Sequence, residues 1–293
     1  MILRRVLIVL ASTALVGAGL IFGAAAVTTE GALHPPRLGI AKVCPCIAHM
    51  TCRDAQVIAP DGAVQRGWYF EPEKPNGRAI IVLHGIGDSR SGVVGLGYIF
   101  LRQGYTVLTP DLRGHGESDG FSTWGISEEQ DIHAWADWLL RQPNVHAIYG
   151  FGASLGASVL LESLRRETRF HAIVAESPYT DFAGIARERV GRVAPAWLTL
   201  PFVESGIGWA RLRYHVNLAR ASAIEAVRRT RTAVLLIHGL ADDQTSPENS
   251  IQIAAANPAF ARLWLVPGAG HANARATAGK EFESRVSGFL ASR

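Results

Sequence analysis

Lysine is nearly missing from this chain, standing only at positions 42, 74 and 280 of the 293 residues. Basic charge therefore rests on arginine, and the arginines are scattered among acids instead of forming a tract. A formal net charge of +4 spread this way, with no Lys/Arg run interleaved with aromatics, argues against a nucleic-acid partner. Charged residues make up only 18% and hydrophobic residues 48%, which excludes disorder by composition and allows a substantial core. Internal repeats are absent, and the Ala/Gly-rich apolar N-terminus is the one biased stretch. Cysteine is scarce as well: Cys44, Cys46 and Cys52 are the full set. In an oxidising compartment Cys52 pairs with Cys44 or Cys46 and one thiol is left over.

Charge is missing altogether from Val6 to Thr29, directly after Arg4 and Arg5. At about 1.5 Å per helical residue this stretch is long enough to cross a hydrocarbon core of about 30 Å. Residues 1–29 are thus expected to be a transmembrane anchor, with the two arginines on the cytoplasmic side. The alternative is a cleaved signal peptide with Ala24-Ala25-Ala26 as its site, although such apolar regions usually run to only about 7–15 residues. Either way, everything after Thr29 is exported. Residues 30–54, with His34-Pro35-Pro36 and the cysteines, read as a juxtamembrane linker. Cys44, Cys46, His49 and Cys52 resemble a four-ligand zinc set, but the Cys44-Pro45-Cys46 gap is tighter than usual ligand spacing, and no metal is expected.

From residue 55 onward the pattern changes. Ala55–Ala59 and Val64–Phe70 flank Asp61-Gly62 and read as a hairpin. Short apolar runs of the buried-strand kind follow at Ala79–Leu83, Tyr105–Leu108, Ala147–Phe151, Ala172–Ala175, Ala233–Ile237 and Arg262–Val266. Helical patterns separate most of them. One starts at a predicted capping box of Ser127 and Gln130 and carries Ile132, Trp135, Trp138 and Leu139 on one face. The alternation predicts an α/β fold: a mostly parallel eight-stranded sheet with helices on both faces, occupying residues 55–293. An insertion at about 177–232, holding Trp197, Leu198, Leu200, Phe202, Trp209 and Tyr214, is too long for a simple crossover. It is expected to form a small helical lid with an apolar acyl pocket, its aromatics also packing the insertion onto the domain.

Gly152-Ala153-Ser154-Leu155-Gly156 follows the strand ending at Phe151 and opens the apolar helix Ala157–Leu164. A serine at so sharp a strand-to-helix turn sits in a strained backbone, and side chains two residues away on either side would collide. Gly152 and Gly156 remove them. Ser154 is thus the expected nucleophile, with the Leu155 backbone N–H as an oxyanion donor at the helix start. A dinucleotide fingerprint fits less well, because Gly150, Gly152 and Gly156 place the third glycine one residue late and leave the serine without a role. No cofactor is expected.

Serine needs an imidazole base oriented by a carboxylate. His271, in Gly268-Ala269-Gly270-His271 beyond the last strand, is the expected base. His84, His115 and His238 adjoin glycines near strand ends and are expected to make structural hydrogen bonds. Asp242 is the expected acid, ahead of its neighbour Asp243, with Glu176 and Asp181 in reserve. The second oxyanion donor is expected from His84-Gly85-Ile86-Gly87-Asp88, as the Ile86 N–H.

Taken together, these segments resemble the α/β-hydrolase superfamily over roughly residues 55–291. Asp111-Leu112-Arg113-Gly114-His115-Gly116-Glu117-Ser118 is similar to its D-x-R-G-x-G-x-S loop, whose role there is structural. His238-Gly239-x-x-Asp242 with Ser246-Pro247, and Val266-Pro267-Gly268-x-Gly270-His271, are similar to its acid turn and its histidine loop. The first of these similarities selects Asp242 by position. Asp243-Gln244-Thr245 departs from the pattern, since relatives often carry apolar residues there. The resemblance points to bacterial membrane-associated or exported hydrolases, serine aminopeptidase-like and esterase-like. It implies a serine hydrolase acting on a small-molecule ester, thioester or amide from the outer face of the cell membrane, or secreted after signal cleavage. The alternatives are a serine aminopeptidase-like peptidase and a catalytically silent envelope-binding domain.

Overall fold

A computed structural model describes residues 2–40, 44–45 and 50–293. Helix α1 (Ile2–Leu33) runs four residues past the expected end of the anchor, so the start of the proposed linker is helical. Its mean hydropathy reaches 2.3, and it is the one described helix long and apolar enough to cross a membrane. Cys44 and Cys52 are joined as a disulfide with Cα atoms 6.0 Å apart, inside the usual range. Cys46 and His49 lie outside the described residues.

Eight strands form one sheet in the order β1-β2-β4-β3-β5-β6-β7-β8. Strand β1 (Met50–Ile58) starts five residues before the expected hairpin and pairs antiparallel with β2 (Val64–Pro72). Asp61 and Gly62 make the turn between them, with Gly62 at φ 87°. Strand β2 pairs antiparallel with β4 (Thr106–Pro110). Strands β4, β3 (Arg78–Leu83), β5 (Ala147–Ala153), β6 (Phe170–Glu176), β7 (Ala233–Gly239) and β8 (Ala261–Val266) then run parallel. Parallel strands need both faces covered, which explains their near-continuous apolar runs. Helices α3 (Glu128–Leu140), α4 (Leu155–Ser163), α7 (Ala223–Arg229) and α8 (Glu248–Ala256) belong with one core cluster. Helices α2 (Val94–Leu101), α9 (Ala274–Ala278) and α10 (Lys280–Ala291) cover the other.

The N-terminus of α3 corrects one expectation. Ser127 sits at the cap position but its side chain makes no capping bond. Glu128 folds back instead, accepting the N–H groups of Thr123 (2.7 Å) and Gly125 (2.9 Å), while Thr123 Oγ1 accepts from Ser127 N–H (2.8 Å). A carboxylate gathering loop amides wins over a hydroxyl because charge-assisted bonds are stronger. The apolar face holds: Ile132, Trp135 and Leu139 are buried.

The insertion folds into α5 (Phe182–Gly191) and α6 (Ala196–Tyr214), with a short 3-10 turn before α7. Most of it does not close over the serine. Helix α6 stacks on the end of α1, where Glu30 accepts hydrogen bonds from Trp209 Nε1 and Tyr214 OH, both 2.6 Å. Phe22 meets the Trp209 ring edge-on. A methyl added at Gly206 would meet Thr29 Oγ1, which is why the two helices approach at that glycine.

One core residue has a stability consequence. Glu162 on α4 is fully buried, and neither carboxyl oxygen has a hydrogen-bond partner among the described residues. Burial pushes its pKa well above the ordinary glutamate range, so the folded chain keeps a proton that the unfolded chain releases. Stability is therefore lost as pH rises above the unfolded value of roughly 4.3. Glu162→Gln is expected to raise the melting temperature at pH 8 and to lose that advantage near pH 4. Thermal unfolding at the two pH values reads this directly; an equal shift at both would contradict it.

Candidate active site

Ser154 stands between β5 and α4 at φ 54° and ψ −117°, in a region closed to most side-chain-bearing residues. Its neighbours make the turn possible. A methyl on Gly152 would run into the Gly156 carbonyl, and one on Gly156 would lie 2.6 Å from the His84 carbonyl oxygen. The Ser154 N–H donates to Glu176 O (2.8 Å), which ties the turn to the end of β6. Strain of this kind persists only where the surroundings over-determine it. Here two glycines and a neighbouring strand do so.

Three side chains far apart in sequence meet at this turn. Ser154 Oγ lies 2.8 Å from His271 Nε2, and His271 Nδ1 lies 2.8 Å from Asp242 Oδ2. A carboxylate facing Nδ1 requires that nitrogen to donate, so Nε2 is the acceptor for the serine hydroxyl. Asp242 Oδ1 accepts the N–H groups of Gln244 and Thr245, each at 2.9 Å. Burial alone would raise the Asp242 carboxyl. Hydrogen bonds from His238, His271 and the Thr245 amide more than offset this and hold it far below the usual carboxylate range. Gln244 and Thr245 of the polar triplet thus supply amides to Asp242, while the exposed Asp243 side chain stays outside the arrangement.

The reserve acids are occupied elsewhere. Glu176 accepts from Ala274 N–H at 2.8 Å, and burial raises its pKa. Asp181 caps α5 by accepting the Gly184 N–H. The acid and histidine loops are also laced together, since Ala241 N–H donates to Ala269 O at 2.9 Å. A methyl on Gly239 would strike that same carbonyl.

The other strand-end histidines build turns. His238 lies between Ser250 Oγ (2.7 Å) and Thr245 O (2.9 Å). His115 bonds the Arg113 carbonyl at 3.0 Å. His84 does more. Its Nε2 accepts the Leu112 N–H at 3.0 Å, so Nδ1 carries the proton and donates to Gly85 O at 2.7 Å. Burial, reinforced by nearby His115, pushes the His84 pKa down to about 3 and keeps the ring neutral. Carbonyl and N–H of one peptide unit point in opposite directions. Pinning Gly85 O therefore aims the Ile86 N–H the other way, and a methyl on Gly85 would stand 3.5 Å from Ser154 Cβ. Leu155 opens α4 directly after the serine. Sequence reasoning placed His84 in a structural turn but did not see this orienting bond, because its acceptor is set by backbone geometry.

The cleft in front of Ser154 has a volume of about 370 Å³ and is lined by Ile86, Val93, Leu96, Arg189, Gln244 and Arg275, among others. Among the described residues no His, Cys, Asp and Glu group is arranged to hold a metal ion.

The sheet order and the serine turn define a member of the α/β-hydrolase superfamily. More narrowly, the chain belongs to the prolyl oligopeptidase family, whose sequence model matches residues 96–292. The Pyrococcus furiosus esterase Pf2001 shares the fold with a TM-score of 0.72 at 24% identity, covering 88% of this chain and 98% of that one. The polyketide transferase ATR5 of Stachybotrys chlorohalonatus is 32% identical over 142 residues, which are 46% of this chain and 48% of that protein. The lysophosphatidylserine lipase ABHD12 of Mus musculus is 31% identical over 156 residues, 49% of this chain and 39% of that protein. The match thus spans less than half the length of either curated relative.

Proposed function

We propose that this chain is a membrane-anchored serine hydrolase that cleaves an ester through an acyl-enzyme, with Ser154 as nucleophile, His271 as base and Asp242 as its orienting acid. The observation that carries this reading is the unbroken run of two 2.8 Å contacts from Ser154 through His271 to Asp242. Ser154 Oγ attacks the carbonyl carbon while its proton passes to His271 Nε2, and Asp242 stabilises the resulting imidazolium. The N–H groups of Leu155 and Ile86 receive the oxyanion. His271 then returns the proton to the departing alkoxide, and water attacks the acyl-enzyme by the same route in reverse order.

An ester is preferred over an amide because its leaving group is easier to expel. Among the curated relatives, one is named a lysophosphatidylserine lipase and another a polyketide transferase. The family's name favours a second reading, a peptidase, with an aminopeptidase-like activity as the form to assay. Parallel assays with p-nitrophenyl esters and aminoacyl anilides separate the two. A catalytically silent binding domain is the third reading, and a labelled fluorophosphonate tests it. The wild-type chain is expected to take up the label and Ser154→Ala to take up none; equal labelling of both would remove Ser154 from the mechanism.

The packing of the C-terminal end of α1 on the domain, with Ala25 and Ala26 buried and Phe22 against Trp209, supports an uncleaved anchor with the hydrolase domain on the far side of the membrane from Arg4 and Arg5. A mature chain beginning at Val27 would overturn the anchor.

A further inference from the structure

Beside the Ser154 cleft, α1, α5 and α6 line a second, partly open cavity of about 170 Å³. Ile185, Val203 and Ile207 line it together with Trp124, and Thr29 and Ala32 of α1 form one side. Arg189 is its one charged lining residue among the described residues, and the same side chain also lines the Ser154 cleft. The Arg189 guanidinium lies 5.8 Å from the Trp124 ring centroid, while the nearby Glu188 is taken by Arg192 at 2.7 Å. Arg189 thus stands between the cavity and the cleft, and apart from it and the threonines Thr28 and Thr29 of α1 the cavity lining is apolar.

Its other surroundings lead away from water. Helix α1 continues from Thr29 and Ala32 into the uncharged segment that extends back toward the N-terminus. At the corner between α5 and α6 the chain carries no charge from Val193 to Val203, and Val193, Trp197 and Leu200 are exposed. Large apolar side chains exposed together mark a contact with another apolar phase, and tryptophan favours the membrane interface.

We propose that this cavity is the acyl-chain site of a long-chain ester drawn from the bilayer, with α1 as one wall and Arg189 at the passage to Ser154. The inference rests on the esterase reading given above and extends it to a substrate class. A dry apolar cavity of about 150 Å³ takes up a benzene-sized guest, so this one has room for about six carbons of a chain. Each buried methylene is worth about fourfold in binding. The cation at the passage suits the electron-rich end of the guest, which becomes a carboxylate when the ester is cleaved.

The test uses the full chain in nanodiscs of ether-linked phosphatidylcholine, which has no ester to hydrolyse. Wild-type kcat/KM is expected to be at least about tenfold higher for p-nitrophenyl decanoate than for the acetate, which is too short to reach the cavity. Ile207→Trp, which fills the cavity, is expected to lower the decanoate-to-acetate ratio by about tenfold or more. An unchanged ratio in a variant that still turns over acetate would overturn the proposal and leave the esterase reading intact. Failure of the wild type to cleave either ester would remove both. Should Ile207→Trp not fold, Val203→Phe carries the same ratio. Binding of decanoate to the Ser154→Ala protein, read from tryptophan fluorescence, then reports the cavity without turnover; no binding at all would count against it.

Discussion

Asp242→Asn is expected to lower kcat by about 10⁴-fold while leaving the fold intact, with His271→Ala costing at least as much. The reason lies in how Asp242 is held. Its Oδ1 accepts the amides of Gln244 and Thr245, and its Oδ2 faces His271 Nδ1. An asparagine keeps the two backbone bonds only by placing its carbonyl oxygen at the Oδ1 position. Its NH₂ group then faces Nδ1, which must become an acceptor, and the ring proton moves to Nε2. In that tautomer the imidazole cannot take the proton of Ser154. Steady-state kinetics on a p-nitrophenyl ester, with circular dichroism to check the fold, measure the effect. Activity within tenfold of wild type would mean that a different carboxylate orients the base.

The second large effect is on stability. Arg113 is buried, and its guanidinium donates to Asp131 through Nε (2.9 Å) and Nη2 (2.7 Å). The same group reaches Asp61 at 2.6 Å through Nη1, joining the β1–β2 turn to α3. Asp131 is as deeply buried as the arginine, with 6% of its side chain exposed, whereas Asp61 is 52% exposed. Removing the guanidinium strands the Asp131 charge in the interior. Arg113→Ala is therefore expected to cost about 3–5 kcal/mol. Asp61→Asn, at the solvated end, is expected to cost no more than about 1 kcal/mol. Denaturant midpoints of the two variants decide the matter, and similar losses for both would refute the contrast drawn from burial.

What could be read from the sequence follows the range over which each interaction acts. The serine turn was legible because its sterics are local: Gly152 and Gly156 are needed within two residues of Ser154, and both stand in the sequence. The strands past the hairpin followed from apolar runs that a doubly covered sheet requires, whereas their spatial order, with β4 between β2 and β3, depends on pairings that such runs do not encode. His271 was placed by chain order and the glycines of its loop, and Asp242 by the resemblance of its turn to the superfamily's acid turn; the geometry brings both to Ser154. The capping box at Ser127 was misread because Glu128, inside the same window, gathers amides from residues before the helix. Arg113 was recognised only as part of a structural loop, since its partners stand 52 and 18 residues away. The seating of the insertion on α1 was not legible at all. Trp209 and Tyr214 looked like material for a lid, and only the fold shows that Glu30 takes both of their hydrogen-bonding groups.

Helix α1 enters the domain with no hinge between them. It is one helix from Ile2 to Leu33, its last residue is fully buried, and its final carbonyls accept from Ser122 N–H and Trp124 Nε1. Enzymes on flexible stalks sweep a radius that grows as about 5–6 Å times the square root of the linker length. This one has no such reach. With α1 as the proposed anchor, Ser154 would ride at a fixed height above the lipid, working on whatever enters that thin layer.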